Sequence, residues 1–176
     1  ISQDAPKIQP WSISKKSKHI VLAGMSAKGA LSVGLQPMEW ERRIVDKLRK
    51  VTKRNIVYRP KPSWRGFTPI DNTFLSIDPQ PISDILENAH ALVTYYSNAS
   101  FDALAAGVPI YTVEGPAKVA SIDSWENIED AHHKPKIDRK QLFNDISYCH
   151  FIKDEIASGF MFMQFMSDGF LGKRSR

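Results

Sequence analysis

Three polar residues, Ser97, Asn98 and Ser100, lie between an apolar run and a short alanine-rich segment. The run, residues 91–96, is rich in β-forming residues and predicts a buried strand, and residues 101–106 predict a short helix. Short polar side chains at such a junction satisfy the first backbone N–H groups of a helix. The amino end of a helix also attracts anions. The spacing therefore predicts a turn that binds an anionic ligand.

A second candidate is the loop of small residues 24–29, which follows the apolar run 19–23. Small residues let a ligand approach the backbone at Gly24, and the side chains of Ser26 and Lys28 bear groups that contact phosphate. The loop matches neither the GxGxxG pattern nor a P-loop. A plain connection between two elements explains it equally well.

The third candidate is a pair of cations, Arg59 and Lys61, which follow the predicted strand 55–58. Pro60 and Pro62 alternate with them and stiffen the backbone after the strand. Prolines there are typical of a simple strand exit. Two cations on a rigid segment at the carboxyl end of a strand favour anion binding about as strongly as the prolines favour a simple exit.

A parallel sheet would bring these three segments together. Residues 91–96, the helix 101–106, Gly107 as its C-cap and a strand over 108–113 form a βαβ unit, whose crossover implies parallel strands. Strands and helices alternate throughout the chain. We therefore predict an α/β fold: a Rossmann-like parallel sheet of about five or six strands with helices on both faces. Ser26, Arg59 and Ser97 should then share one edge.

The other elements are predicted from apolar periodicity. Residues 37–52 predict an amphipathic helix with a buried stripe of Trp40, Ile44, Val45 and Leu48, with Glu41 among the polar residues around it. Further predicted elements are a strand over 73–77 and helices over 81–88, 117–121, 124–130, 138–148 and 153–166.

Composition bounds the class of protein. The chain has 176 residues, of which 42% are hydrophobic, enough for one globular domain, which we place at residues 19–170. Residues 1–18 predict a linker or lead-in that Trp11 anchors, and residues 171–176 a basic tail. The first residue is not Met, so we expect a fragment or a processed product.

Charge and cysteine content suggest partners and compartment. The net charge of +5 favours anionic partners, although solvated helix faces explain most of the lysines. The single cysteine, Cys149, fits a reducing compartment, and no apolar run is long enough for a membrane span. We therefore expect a cytoplasmic protein. The adjacent His132 and His133 are expected in a loop and not as metal ligands.

Taken in order, several motifs resemble the carboxyl-terminal, nucleotide-sugar-binding half of GT-B glycosyltransferases, in particular a phage and bacterial branch. The similarity runs from about residue 19 to residue 169. The matching positions are an RPHP-like exit at Arg59-Pro60-Lys61-Pro62, a turn and helix with Thr94, Ser97, Asp102 and Ala103, a GVPV-like Gly107-Val108-Pro109-Ile110, Ile128-Glu129, and a closing region with Arg139, Tyr148-Cys149-His150, Glu155 and Gly159.

The resemblance implies a donor site. The diphosphate of a nucleotide-sugar would lie at the turn near Asn98, and Arg59 and Lys61 would neutralise charge on the leaving diphosphate as the catalytic cations. Asp102 would accept hydrogen bonds from ribose hydroxyls, or else act only as a first-turn acid that favours the helix dipole. No cofactor or metal is expected beyond the donor. The donor-binding residues so implied are Gly24, Ser26, Lys28, Ser97, Asn98, Ser100 and Asp102.

Two departures from the family leave the sugar and the activity open. No acid lies near Thr94, where many relatives have a glutamate, and Lys61 stands in place of a histidine. An N-terminal acceptor domain or a partner chain would have to supply the base. The acceptor, a DNA base, polysaccharide, lipid or protein, is not specified, and the compartment would be the host cytoplasm if a phage encodes the chain.

Two other classes of protein remain as alternatives. One is a non-catalytic nucleotide- or glycan-binding domain of a larger assembly. The other is a basic nucleic-acid-binding module, which the lack of an interleaved aromatic and basic face disfavours.

Overall fold

The computed structural model describes residues 7–11, 17–129, 137–148, 156–160 and 163. They belong to two compact units, residues 1–139 and 140–176, and each is described by itself. The predicted basic tail, Cys149, the pair His132 and His133, and most of the predicted helix over 153–166 lie outside the described residues. The division into a lead-in, a domain over 19–170 and a tail stays a prediction.

The first unit contains one parallel sheet of five strands, in the order β3-β2-β1-β4-β5. This confirms the predicted α/β, Rossmann-like fold. The strands are β1 His19–Ala23, β2 Asn55–Arg59, β3 Phe74–Leu75, β4 Ala89–Thr94 and β5 Ile110–Thr112. The helices are α1 Ala27–Ser32, α2 Glu39–Val51, α3 Ile82–Leu86, α4 Ala99–Ala105 and α5 Arg139–Tyr148, with 3₁₀ turns at Pro116–Ala120 and Trp125–Asn127.

Helices cover both faces of the sheet. On one face, Ile44 and Leu48 of α2 share a buried apolar cluster with Ile20 and other strand residues. On the other face, the ring Nε2 of His19 lies 2.6 Å from the carbonyl oxygen of Ile85 in α3. Adjacent strand residues point to opposite faces, so α2 and α3 lie on opposite sides of β1. α4 packs beside α3 and against β4 and β5.

This double cover explains the sequence of the central strands. Every residue of β4 is buried, and only His19 of β1 is partly exposed. A parallel strand covered on both faces reads as a continuous apolar run and not as an alternation. β3, by contrast, is a two-residue edge strand whose side chains are exposed, shorter than the predicted strand over 73–77.

Two predicted features differ from the structure. α1 begins at Ala27, inside the segment predicted as a loop. The sequence did not predict this helix because its alanine- and glycine-rich residues show no apolar periodicity. Glu41, predicted on the solvent side of α2, is fully buried. It is spaced with Ile44, Val45 and Leu48 as i, i+3, i+4 and i+7, which places it on the buried face of the helix.

The lead-in docks on the carboxyl end of α4. The amide of Gln9 donates to the carbonyl oxygen of Ala105 at 2.8 Å. Arg139 donates to the carbonyl oxygens of Leu104 at 2.6 Å and of Gln9 at 2.8 Å. Its guanidinium also lies over the ring of Trp11, 3.9 Å from the centroid. A cation thus binds one of the last carbonyls of α4, that of Leu104, and Trp11 anchors the lead-in as predicted.

Gly107 permits this contact and gives a test of it. Its φ is +78°, and a Cβ there would lie 2.0 Å from the carbonyl oxygen of Pro10. Gly34 has a similar φ of +75° and no heavy atom within 4 Å of an added Cβ. Gly34→Ala should therefore lower the free energy of unfolding by about 1–2 kcal/mol, because alanine is strained in a left-handed backbone conformation. Gly107→Ala should cost at least about 1 kcal/mol more, because the lead-in must move.

Chemical denaturation of both variants measures the difference. Equal losses in the two variants would show that the docking of the lead-in contributes nothing to stability.

Candidate functional site

The three candidate segments meet at one edge of the sheet. Ala23, the last residue of β1, is in register with Arg59 of β2 on one side and with Thr94 of β4 on the other. The segments 24–28, 59–61 and 94–102 therefore leave neighbouring strands at the same level, and they are called the rim below. Ser26, Arg59 and Ser97 share this edge, as predicted.

The rim contains the point where the chain reverses its direction across the sheet. From β1 the chain moves to β2 and β3, whereas from β4 it moves the other way to β5. The connections after β1 and β4 therefore diverge, the arrangement that in open α/β sheets leaves a crevice between them. In open α/β sheets, ligands bind in the crevice at this reversal.

Thr94 ties the two sides of the crevice together. Its hydroxyl donates to the carbonyl oxygen of Ala23 at 2.9 Å and accepts from the amide of Ser97 at 3.2 Å. The hydroxyl of Ser97 then accepts from the amide of Ala99 at 3.2 Å. The turn after β4 is thus fixed relative to the end of β1.

On the β1 side, Ser26 is the N-cap of α1. Its hydroxyl accepts from the amide of Gly29 at 3.1 Å, and its carbonyl accepts from the amide of Ala30 at 2.9 Å. The amides of Ala27 and Lys28 come earlier in the helix and have no intrahelical acceptor. Lys28 is exposed. This side of the crevice therefore offers backbone donors and one cation.

On the β2 side, Arg59 and Lys61 have different surroundings. Arg59 is buried, and its guanidinium donates to Asp78 Oδ1 at 2.6 Å and to Ser76 Oγ at 3.4 Å. It faces the segment after β3, so it already has a carboxylate partner that the sequence did not reveal. Lys61 is exposed. Only Lys61 presents its charge freely to solvent at this exit.

The turn after β4 uses most of its own donors. The amide of Ser100 donates to the carbonyl of Ser97 at 3.1 Å, and that of Phe101 to the carbonyl of Asn98 at 2.9 Å. The hydroxyl of Ser100 is fully buried and does not reach the surface. Asn98 and Asp102 are exposed. Partial desolvation by the surrounding protein nevertheless raises the pKa of Asp102.

Three aromatic side chains form a chain of contacts at the rim that the sequence did not single out. Trp40 and Tyr95 meet edge to face with centroids 5.8 Å apart, and Tyr95 meets Tyr96 in the same way at 5.6 Å. The Tyr96 hydroxyl lies 2.1 Å from where a Cβ on Gly29 would stand. Tyr95 and Tyr96 were predicted inside the strand, but β4 ends at Thr94, so both rings belong to the rim.

Beneath the β1–α1 connection lie two buried polar side chains. Glu41 Oε1 accepts from the amide of Met25 at 2.6 Å, and both Glu41 and Tyr58 are fully buried. An added Cβ on Gly24 would lie 3.1 Å from Glu41 Oε1 and 3.2 Å from the Tyr58 hydroxyl. Burial raises the pKa of both groups, and the negative charge of Glu41 raises that of Tyr58 further.

A basic groove lies at the opposite end of the sheet, lined by residues 49–54 and Glu129. Its arginines serve the fold: Arg54 Nε binds Glu129 Oε2 at 3.0 Å, and Arg49 Nη1 donates to the carbonyl of Arg54 at 2.6 Å. Cations at the carboxyl end of α2 are also what the helix dipole favours. The groove is therefore a weaker candidate than the rim.

The part of the chain that the structure describes holds no group of three or more His, Cys, Asp or Glu side chains arranged to bind a metal ion. Among the described helices, none is both long and apolar enough to cross a membrane.

Comparison with known proteins finds distant likeness to solved structures. No model of a protein family matches the sequence, and no curated protein does. A solved structure from Thermosulfurimonas dismutans, KpsC, a beta Kdo 2,4 transferase, is similar with a TM-score of 0.44 and 11% identity. The similarity covers 61% of this chain and 37% of that chain, so this chain spans little more than a third of that protein's length.

The packing of Tyr96 against α1 can be tested by a double-mutant cycle. Gly29→Ala should destabilise the protein by about 1–3 kcal/mol, because its methyl group would displace the Tyr96 hydroxyl. In a Tyr96→Phe background the same substitution should cost much less, because the nearest remaining contacts, with Cζ of residue 96 and with Ser26 Oγ, are at 3.3 Å and alanine is the better helix former. Chemical denaturation of the four proteins gives the coupling, expected to be about 1 kcal/mol or more. Additive effects would mean that Tyr96 does not pack on α1 in solution.

Proposed function

We propose that the rim binds a nucleotide-sugar and that the chain is the donor-binding half of a GT-B-type glycosyltransferase of the phage and bacterial branch, a hexosyltransferase. The observation that carries the proposal is the place where the polar segments meet. The Gly24–Lys28 connection and the Ser97 turn flank the reversal between β1 and β4. An open α/β sheet binds nucleotides at this position.

In this proposal the diphosphate lies in the crevice between the connection after β1 and the turn after β4. Lys28, after β1, and Lys61, after the neighbouring β2, supply exposed positive charge from the side of the crevice opposite β4. Ser97 and Asn98 border it on the β4 side. α1 and α4 have only six and seven residues, so helix dipoles contribute little, and side-chain cations with hydrogen-bond donors carry most of the binding.

The nucleoside would lie beside the aromatic rings and Asp102. The half-buried rings of Trp40, Tyr95 and Tyr96 offer a surface on which a base can stack. The exposed Asp102, in the first turn of α4, would accept hydrogen bonds from the ribose hydroxyls. Its raised pKa does not prevent this role, because a protonated carboxyl retains acceptor capacity.

Sugar transfer needs positive charge at the leaving group. Negative charge grows on the diphosphate as the bond to the anomeric carbon breaks, and a fixed cation stabilises it. Lys61 fits this role directly. Arg59 would share its guanidinium between the diphosphate and Asp78. The acceptor and its general base would come from an N-terminal domain or a partner chain, and nucleic acid is one of the acceptors left open.

One observation favours a second candidate, a non-catalytic nucleotide-binding domain. The ion pair between Arg59 and Asp78, at 2.6 Å, already neutralises one of the two cations that the transfer would use. A domain that only binds its ligand does not need a second free cation at the leaving group. Binding and turnover experiments distinguish the two candidates.

The first experiment measures binding. Uridine, guanosine, adenosine and cytidine diphosphates are added to the purified chain, and thermal unfolding is followed. A ligand that binds only the folded protein stabilises it by about 2.7 kcal/mol at a concentration of 100 times its Kd. We expect at least one diphosphate to raise the Tm, Lys61→Ala to remove much of the shift, and Arg59→Ala to remove most of it.

Lys53→Ala is the matched control, because Lys53 is an exposed lysine before β2, at the opposite end of that strand. It should leave the shift unchanged. Asp78→Asn controls for the broken ion pair in Arg59→Ala and should retain binding. If no diphosphate moves the Tm of the wild-type protein, the donor-site proposal is wrong.

The second experiment measures turnover. The isolated chain should bind the donor without transferring sugar, because transfer requires an acceptor hydroxyl and a base held at the anomeric carbon. Glu114, Asp123 and His132 are the candidates for a base that the sequence offers; His132 lies outside the described residues, and the other two are exposed. Labelled nucleotide-sugars and a panel of acceptors give the measurement. Labelled product from the chain alone would show that the catalytic groups are complete within it.

A further inference from the structure

The strongest unexplained feature of the molecule is the carboxylate of Glu41. It is fully buried in the apolar stripe of α2, where Oε1 accepts a hydrogen bond from the amide of Met25 and Oε2 has no partner among the described residues. No cation reaches it within salt-bridge distance in the described part of the chain. An unpaired buried carboxylate is costly, whereas an apolar residue at this position would continue the stripe.

The surroundings of Glu41 show what it holds. Gly24, the first residue after β1, lies directly above both Glu41 and Tyr58. A Cβ on Gly24 would lie 2.9 Å from Tyr58 Cε2 and 3.1 Å from Glu41 Oε1. The connection after β1 can therefore lie this deep only with glycine at position 24. From there the amide of Met25 points down to the carboxylate, and Ser26 begins α1 as its N-cap.

This geometry links the buried carboxylate to the rim. A hydrogen bond to the amide of Met25 fixes the backbone one residue before the cap, and so fixes where α1 begins. The amides of Ala27 and Lys28 then have set positions beside the crevice. An apolar residue at position 41 would fill the same space but would leave the amide of Met25 without an acceptor.

We infer that Glu41 is a positioning residue, which holds the connection after β1 in the shape that receives the diphosphate of the ligand. The inference rests on the proposed function for its ligand, and on the contact with Met25 for its mechanism. Glu41 does not touch the ligand. It acts through the backbone of residues 24–26, and the oxygen of an amide side chain can replace its accepting oxygen.

Two variants of Glu41 separate the hydrogen bond from the packing. Glu41→Gln keeps an oxygen acceptor, whereas Glu41→Leu keeps an apolar side chain of similar size and removes the acceptor. Amide hydrogen exchange by NMR is measured at Met25, with Leu22 and Val93 as internal references in the central strands. We expect Glu41→Leu to speed exchange at Met25 about tenfold relative to those references, and Glu41→Gln to leave it close to the wild-type rate.

Diphosphate affinity is measured on the same three proteins. Glu41→Leu should weaken binding about tenfold, as expected when a buried donor loses its acceptor, and Glu41→Gln should restore it. A role in stability alone would lower the Tm of Glu41→Leu and leave its affinity for diphosphate unchanged. That result would overturn the inference, as would an unchanged exchange rate at Met25 in Glu41→Leu.

Gly24→Ala approaches the same contact from the loop side and serves if Glu41→Leu does not fold. Its methyl group would lift the connection from Glu41 and Tyr58, so it should speed exchange at Met25 and weaken binding in the same sense. Normal exchange and binding in Gly24→Ala would count against the inference. If wild-type protein binds no diphosphate, the proposed function fails and the ligand role of Glu41 with it, while the exchange rates still decide whether Glu41 holds the loop.

Discussion

The reversal of the chain between β1 and β4 is the constraint on which the rest of the structure depends. The connections after β1 and β4 leave in opposite directions, so no shared turn joins the carboxyl ends of these two strands. Another contact must hold them together there. Thr94 supplies it, since its hydroxyl binds the carbonyl of Ala23 and the amide of Ser97. The connection after β1 and the turn after β4 are thus joined by the side chain of Thr94.

The two ends of the sheet treat buried polar groups differently. At the amino end, the ring of His90 binds both the hydroxyl of Ser17, at 2.9 Å, and the carbonyl of Ile128. A carbonyl only accepts, so Nε2 carries a proton, and burial lowers the pKa of the ring, which favours its neutral form. Of the four buried side-chain atoms without a partner in the described residues, three belong to Glu41, Tyr58 and Ser100, at or beneath the rim, and the fourth is Arg49 Nε. Unsatisfied buried polar groups are costly, and proteins retain them mainly at functional or strained sites, which supports the ligand site proposed for the rim.

The sequence predicted the sheet well because apolar runs and breaks determine strands, and because the edge reached by Ser26, Arg59 and Ser97 follows from parallel pairing alone. It could not predict side-chain direction at the rim. The partner of Arg59, Asp78, lies 19 residues further along the chain, and nothing local reveals that contact. Glu41 was predicted on the solvent side of α2 because glutamate is usually exposed. Its spacing from Ile44 and Leu48 nevertheless places it on the buried stripe. The short helix α1 has no apolar periodicity, so the N-cap residue Ser26 is its only signal in the sequence.

The ion pair of Arg59 and Asp78 links the rim to the edge of the sheet. Asp78 follows the edge strand β3, and its side chain is 35% exposed, whereas that of Arg59 is 8% exposed. If a diphosphate competes for the guanidinium, Asp78 can turn to solvent at little cost, while Arg59 stays fixed by its burial. The arginine would thereby keep its position on binding, and the carboxylate stabilises the buried charge in the free protein. A cation held in this way is preorganised for an anion, which fits the binding role and does not by itself require turnover.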